Sequence, residues 1–477
     1  MKVKAFLRLA GNARGDAPLS RLTAAIEADP TLAVGACDGA GATALHRAAR
    51  AGNRASAALL LARGARADAR DRQAKTPLME AAAAGFLDVV ELLLQHRGSA
   101  GNKADPGSPG GGARMNARKS NAWTPLHYAA QNGHAPVVAA LVAAASAGPG
   151  GDASARAAGA QQNAEGSTAL YVAARGGHLD VVELLLAPPV CADPGAPNDN
   201  RRTPLHAAVM EGRARVVRRL LEAGADPRAS DRSGTSLCHE AAQQGNVAML
   251  ELLADVTGAT DAGDESTRTV PLHLRDNNGC HALHCAARNG HAAFCAALAP
   301  RVPAALGGPD VRDQDECTPL YWACAKGHAD AARALLAAGA DAGALSVRRA
   351  PLHCAAVGAH AALQRFRFVG SGGGGGGGGG DGEGDEGDNA ATTAFPFAAI
   401  IVELLACGAR IDACDRERGE TPRALLRRLR GRGEGAGGAA SGTPLPAAAE
   451  WELDALEALL AADPKENAVA AGPEELK

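Results

Sequence analysis

The 477-residue chain has few aromatic residues: 3 Trp, 3 Tyr and 7 Phe amount to 3% of it. Its interior must therefore come from the small and aliphatic residues behind a hydrophobic share of 46%, which favours closely packed helices. Long apolar runs are missing too. The longest candidate, Phe397 to Ala406, is broken by Glu403 and falls short of the ~18 residues of a membrane-spanning helix, so no membrane insertion is expected. Neither sign of charge dominates. The chain has 49 Lys+Arg against 52 Asp+Glu, a formal charge of -3, which excludes a wholesale polyanion binder and a global acidic tail. The 11 cysteines are odd in number and scattered through helical patterns. That predicts free thiols in a reducing, cytoplasmic or nuclear compartment. Met1 to Ala10 places Lys2, Lys4 and Arg8 among a few apolar residues, without the apolar stretch of about 7 to 15 residues that a secretory signal needs.

Catalytic signatures are also lacking. Phosphate-loop, hydrolase-elbow and paired Cys-x-x-Cys patterns do not occur. His239-Glu240-Ala241-Ala242-Gln243 has glutamine where a zinc-protease helix needs its second histidine. The acid-glycine run Asp381 to Asp388 has Glu386 where a calcium loop requires glycine, and Thr392 where it requires its last glutamate. These readings predict no enzyme, cofactor or resident metal. A metal-centred alternative attaches to the densest ligand group, Cys280, His281, His284, Cys285, His291 and Cys295.

What the chain does have is repetition. Thr43-Ala44-Leu45-His46, Thr76-Pro77-Leu78, Thr124-Pro125-Leu126-His127, Thr168-Ala169-Leu170 and Thr203-Pro204-Leu205-His206 are followed by Ser236-Leu237-Cys238-His239, His281-Ala282-Leu283-His284, Thr318-Pro319-Leu320, Ala350-Pro351-Leu352-His353 and Thr421-Pro422. Their first residues lie 33, 48, 44, 35, 33, 45, 37, 32 and 71 positions apart, a base period near 33 lengthened by insertions. Thr before Pro marks a helix start, since the hydroxyl can accept an orphan amide and proline suits the first turn. The histidine is expected to bond neighbouring backbone or Thr groups and tie one unit to the next. Alanine pairs such as Ala48-Ala49 form a seam of close approach, and recurring glycines, among them Gly85, Gly133 and Gly177, are expected to end the first helix with a positive φ.

Together with Gly85 to Leu94 and Gly177 to Leu186 as second helices, and Gly224-Ala225-Asp226-Pro227 as an exit turn, this pattern resembles the ankyrin repeat. The resemblance covers about Asp38 to Leu429 in ten copies, some incomplete. It implies an all-α solenoid of stacked helix-turn-helix units with hairpin fingers. The expected organisation is an N-terminal segment with a capping helix (1–37), an array over 38–363 in which insertions near 98–117, 143–161 and 255–274 lengthen the hairpin fingers or the loops beside them, and a Gly-rich acidic disordered insertion (364–398). The rest of the array (399–430), a flexible linker (431–449) and a capping helix with an acidic tail (450–477) follow.

The resemblance also implies a function: binding other proteins, without nucleic acid, by a chain that is monomeric by itself. Residues before the core Thr are expected near fingertips: Lys75, Trp123, Arg202 and Cys317. Residues after the core His position are expected in the groove: Arg47, Glu80, Tyr128, Glu240, Cys285, Trp322 and Cys354. Trp123, Tyr128 and Trp322 point most sharply to contact, because aromatics and Arg dominate interface energetics; the competing reading is that they fill gaps between alanine-rich helices. Arg213, Arg215, Arg218 and Arg219 read as a solvated outer face. A second functional alternative, the substrate-recognition subunit of a ubiquitin ligase, attaches to Thr421 to Arg430 with Thr443-Pro444-Leu445-Pro446.

Overall fold

The computed structural model describes residues 2–12, 16–96, 119–148, 150–255, 274–346, 350–357, 395–410, 420–425, 427 and 458. They fall into two compact units, Met1–Arg232 and Ser233–Lys477.

In the first unit, α1 (Lys2–Asn12), α2 (Asp16–Ala28) and α3 (Thr31–Gly35) precede a file of helix pairs. The pairs are α4 (Ala44–Arg50) with α5 (Arg54–Ala62), α6 (Pro77–Ala84) with α7 (Leu87–Gln95), and α8 (Pro125–Gln131) with α9 (Ala135–Ser146). After α10 (Asp152–Gly159) come α11 (Ala169–Gly176) with α12 (Leu179–Leu186) and α13 (Pro204–Met210) with α14 (Ala214–Glu222). First helices stack on first helices, and second on second. In the second unit the pairs are α15 (Leu237–Gln244) with α16 (Val247–Asp255), α17 (Ala282–Arg288) with α18 (Ala292–Leu298), and α19 (Pro319–Lys326) with α20 (Ala329–Ala337). Helical residues 351–357 (α21) and α22 (Phe395–Ala406) follow. Among the described residues no extended strand forms, only isolated antiparallel bridges: Cys37 with Thr43, Gln162 with Thr168, and Arg275 with His281.

The expected helix starts are present. The Thr76, Thr168 and Thr318 hydroxyls accept from the backbone N–H three residues on, and Pro77, Pro125, Pro204 and Pro319 open their helices. Alanines of the seam are fully buried, including Ala48, Ala49, Ala81, Ala82, Ala129 and Ala130, as are Leu45, Leu78, Leu170 and Leu205. Each such leucine contributes roughly 1.5–3 kcal/mol of transfer free energy.

The core histidines stitch neighbours together. Thr124 donates its backbone N–H to His127 Nδ1 (3.4 Å), which leaves the ring proton on Nε2 to be donated to the Ser167 carbonyl at 3.0 Å. The same link joins His46 to Lys75, His239 to Cys280, His284 to Cys317, and His353 to Glu420. Gly85 takes φ 80°, and the ring of His134, from the next pair, lies over the place a Cβ would fill. His134 Nε2 bonds the Ala83 carbonyl at 3.2 Å. The glycine is thus required twice, by its backbone angle and by the ring packed on it.

Two expectations change. The N-terminal segment holds more than one capping helix: α1 buries Phe6, Leu7 and Ala10 and packs on α4. Its apolar positions fall on one side of the turn while Lys4 and Arg8 stay exposed, so it closes the apolar end of the stack. The insertion near 143–161 is largely helical, because α9 runs on to Ser146 and α10 packs against it. Alanine-rich sequence with Asp152 in the first turn makes that helix favourable. The insertion near 98–117, almost all of that near 255–274, residues 364–394 of the Gly-rich insertion, the 431–449 linker, and the 450–477 helix and tail apart from 458 lie outside the described residues.

Candidate interaction surface

The fingers joining one pair to the next are built on Asp and Asn side chains. Asp71 Oδ1 accepts from the backbone N–H groups of Gln73 and Lys75, both at 2.8 Å, while the Asp71 N–H donates to the Lys75 carbonyl at 3.0 Å. Asp38, Asn163, Asn198 and Asp276 repeat this arrangement. One backbone bond joins each finger to its neighbour, as from Arg72 N to Ala40 O, Ser120 N to Gln73 O and Ala164 N to Asn121 O. Lys75, Trp123, Arg202 and Cys317 therefore stand on the returning arm at the finger base, not at the tip. The tips are residues such as Arg72 to Ala74 and Asp199 to Arg201.

From that base the side chains reach the first helices. Lys75 Nζ lies 2.9 Å from Glu80 Oε1 and 5.1 Å from the centroid of the Tyr128 ring. Tyr128 stacks obliquely on Trp123, centroids 5.2 Å apart, and Trp123 lies 5.8 Å from the ring of His127. Trp123 in turn packs on a buried cluster of Tyr171, Val172 and Ala207. Four expected site residues, Lys75, Glu80, Trp123 and Tyr128, thus meet in one half-buried patch. Burial pushes the Tyr128 phenol up to about 12, with the Glu80 and Asp71 charges adding to it, so this tyrosine stays neutral at physiological pH. Arg47 Nη2 bonds Asp38 Oδ2 at 2.5 Å, and Arg202 Nε bonds Asp231 Oδ2 at 3.2 Å.

In the second unit the corresponding positions are less open. Glu240 is 2% exposed and Cys354 5%, so these two side chains are buried and do not face an open groove as expected. Cys285 is partly buried, and burial first, with the nearby Cys280, Asp276 and Glu240 adding, pushes its thiol up to about 12. Cys317 is buried, its Sγ on the Asp315 carbonyl at 3.5 Å. Trp322 donates its indole N–H to Asp313 Oδ2 at 2.9 Å, and the Arg288 guanidinium lies 5.3 Å from its ring centroid. Its polar edge and one face are already engaged.

The sequence reading missed the finger acids as organisers of this surface. A signal exists, since Asp or Asn recurs five residues before the core Thr position, at Asp38, Asp71, Asn163, Asn198, Asp276 and Asp313.

For the metal-centred alternative, the histidines of the Cys280 to Cys295 group are engaged with backbone. His281 Nδ1 accepts from Leu283 N, His284 Nε2 bonds the Cys317 carbonyl and His291 Nε2 that of Gln243. Among the described residues no three His, Cys, Asp or Glu side chains gather as a metal-binding group. The repeat register draws these ligands apart. Arg213 takes the place other pairs give to a histidine, its side chain lying over Gly177, while Arg215 and Arg218 are exposed and Arg219 lies 3.8 Å from Glu222. The ligase alternative falls mostly outside the described residues, which include only 421–425 and 427 of its segments. No helix among the described residues is long and apolar enough to cross a membrane.

Comparison with known proteins agrees with this architecture. The family model for ankyrin repeats (3 copies) matches residues 15–105, 110–196, 153–231, 187–266, 262–346 and 302–366. The chain is 34% identical to the nuclear factor NF-kappa-B p105 subunit of Gallus gallus over 166 residues, covering 30% of this chain and 17% of that protein. It is 30% identical to NF-kappa-B inhibitor alpha of Sus scrofa over 120 residues (25% and 34%). It is 34% identical to the putative E3 ubiquitin-protein ligase XBAT31 of Arabidopsis thaliana over 120 residues (25% and 26%). The chain thus spans about a third or less of each of these relatives. With helix pairs, histidine stitches and stacked fingers in place, and a family model matching most of the sequence, the chain belongs to the ankyrin repeat family.

Proposed function

We propose that this protein is a non-enzymatic scaffold that binds partner proteins through the inner face of its first unit, with Trp123 and Tyr128 as the principal contacts. The observation that carries this reading is the half-buried patch of Lys75, Glu80, Trp123 and Tyr128. It gathers two of the chain's six Trp and Tyr residues beside a cation, the combination that concentrates binding energy at interfaces. The relatives support it, one of them being an inhibitor of NF-kappa-B by name. Arg47 and Arg202, each paired with an acid of its own or the next finger, frame the patch. Trp322 serves the second unit as a packing residue.

The test is quantitative affinity capture from native lysate with the wild-type chain, a Trp123→Ala/Tyr128→Ala variant and a Trp322→Ala variant, all of equal helicity by circular dichroism. Specific partners are expected to be retained by wild type and Trp322→Ala, and to be lost from the double variant. Identical partner sets for all three would remove the proposal.

A further inference from the structure

The proposed surface carries an unbalanced charge, and this indicates the kind of partner it takes. The first helices of the first unit, α4, α6, α8, α11 and α13, contain one acid, Glu80, and it is paired with Lys75 at 2.9 Å. Two finger acids are also matched by charge, Asp38 by Arg47 at 2.5 Å and Asp231 by Arg202 at 3.2 Å, while Asp71, whose charge also acts on Tyr128, is held by the Gln73 and Lys75 backbone N–H groups. Arg50 and Arg175 are different. Both are exposed, and neither makes an ion pair among the described residues. They lie one helical turn beyond the groove positions Arg47 and Val172, on the same side of their helices. In the second unit Arg288 holds the equivalent place, and its guanidinium reaches the ring of the next helix's Trp322. An arginine at this place therefore turns toward the inner face. Because α8 stands between α6 and α11 in the stack, Arg50 and Arg175 lie on opposite sides of the Trp123–Tyr128 pair.

We propose that the inner face of the first unit takes an acidic peptide segment of a partner protein. An aromatic or large aliphatic side chain of that segment sits against Trp123 and Tyr128, and its carboxylates pair with Arg50 and Arg175. The inference rests on the scaffold reading and adds the partner's chemistry to it. A basic segment would meet two unmatched guanidinium groups with no free carboxylate on these helices, a repulsive arrangement that selects against it. A single-stranded nucleic acid would share the charge. It would also require bases to stack in succession, and the face offers one aromatic pair, the next helices having the buried Val172 and Ala207 at the groove position.

The test is selection of a phage-displayed random peptide library on the full chain, followed by fluorescence anisotropy of the enriched peptides. Three variants are compared with wild type: Arg50→Gln/Arg175→Gln, Arg50→Glu/Arg175→Glu, and Trp123→Ala/Tyr128→Ala. All four arginine replacements are at exposed positions, so folding is expected to survive, and circular dichroism checks it. The enriched peptides are expected to be rich in Asp and Glu around an aromatic or aliphatic residue. They are expected to bind about tenfold more weakly to the charge-reversed variant, less weakly to the neutral one, and more weakly as salt rises. Peptides that depend on Trp123 and Tyr128 but are neutral or basic, or are insensitive to both arginine variants, overturn this inference while leaving the scaffold surface standing. Peptides insensitive to the aromatic variant overturn both. Tighter binding of a labelled oligothymidylate than of any enriched peptide also overturns it.

Discussion

The indole N–H of Trp322 donates to Asp313 Oδ2 at 2.9 Å, and the other carboxylate oxygen accepts from the Cys317 backbone at 2.8 Å. One buried side chain thus fixes a finger and the first helix it leads into. Arg47 makes the same reach to Asp38, which shows that the link belongs to the repeat and not to tryptophan. Asp313→Ala is expected to cost about 1–3 kcal/mol, because two donors lose their acceptor in a largely buried place. It should also shift Trp322 fluorescence toward that of a wetter indole. Urea denaturation and emission spectra check this; an unchanged midpoint would show that water replaces the carboxylate without loss.

Glycine substitutions separate backbone strain from packing. Gly224 has φ 90° with nothing within 4 Å of an added Cβ, whereas at Gly85 (φ 80°) that Cβ would lie 2.6 Å from the His134 ring. Gly224→Ala is expected to cost about 1 kcal/mol for the left-handed conformation alone. Gly85→Ala should cost roughly 2–4 kcal/mol, since ring displacement is added and the bond from His134 to the Ala83 carbonyl is put at risk. Equal denaturation midpoints for the two variants would contradict the packing account.

Stability should fall on mild acidification. Burial, against the pull of the hydrogen bond to Lys75, lowers the His46 pKa, and burial likewise lowers those of His284 and His328. A histidine whose folded pKa lies below its unfolded value of about 6.5 binds a proton more readily when unfolded. Its contribution is therefore complete above about pH 6.5 and declines as pH drops from there toward the folded pKa. Protonation would also place a hydrogen on His46 Nδ1, which accepts from the Thr43 N–H at 3.1 Å. The melting temperature is expected to be level between pH 7 and 8 and lower at pH 5.5, and His46→Gln should reduce that dependence. A flat profile down to pH 5 would count against the neutral-histidine stitch.

The thiols should react in order of burial. Cys37, Cys191 and Cys407 are exposed, whereas Cys238, Cys295, Cys317, Cys324 and Cys354 are buried. Burial first, then the neighbouring Cys285, pushes the Cys238 thiol up to about 12, so little thiolate is present at neutral pH. Brief iodoacetamide treatment of the native protein, read by mass spectrometry, is expected to label the first three and spare the buried five until denaturant is added. Early labelling of Cys238 or Cys324 would show that the α15–α17 or α19–α21 seam opens readily.

The helix pairs were legible in the sequence because their causes are local. Thr and Pro at a helix start, glycine at a positive φ and alanine at a close seam act within a few residues. Their recurrence near every 33 positions was enough to place the helix pairs from α4 to α20, α10 apart. The histidine stitch was legible for the same reason, since His127 and Thr124 belong to one motif and the next unit is always adjacent.

Local pattern did not show how the irregular parts are used. The α10 insertion read as a loop because it stands outside the period, yet Ala155 is buried. The finger acids went unread because Asp and Asn are ordinary turn residues until their two backbone partners are in view. Above all, position in the repeat could nominate Tyr128, Glu240, Trp322 and Cys354 alike. Only the tertiary structure decided that Tyr128 is half open beside Lys75 and Trp123, that Trp322 is tied to Asp313 and Arg288, and that Glu240 and Cys354 are buried. Exposure at those positions depends on the side chains that pack around each one from outside its own motif, which the spacing of a motif within its own repeat does not contain.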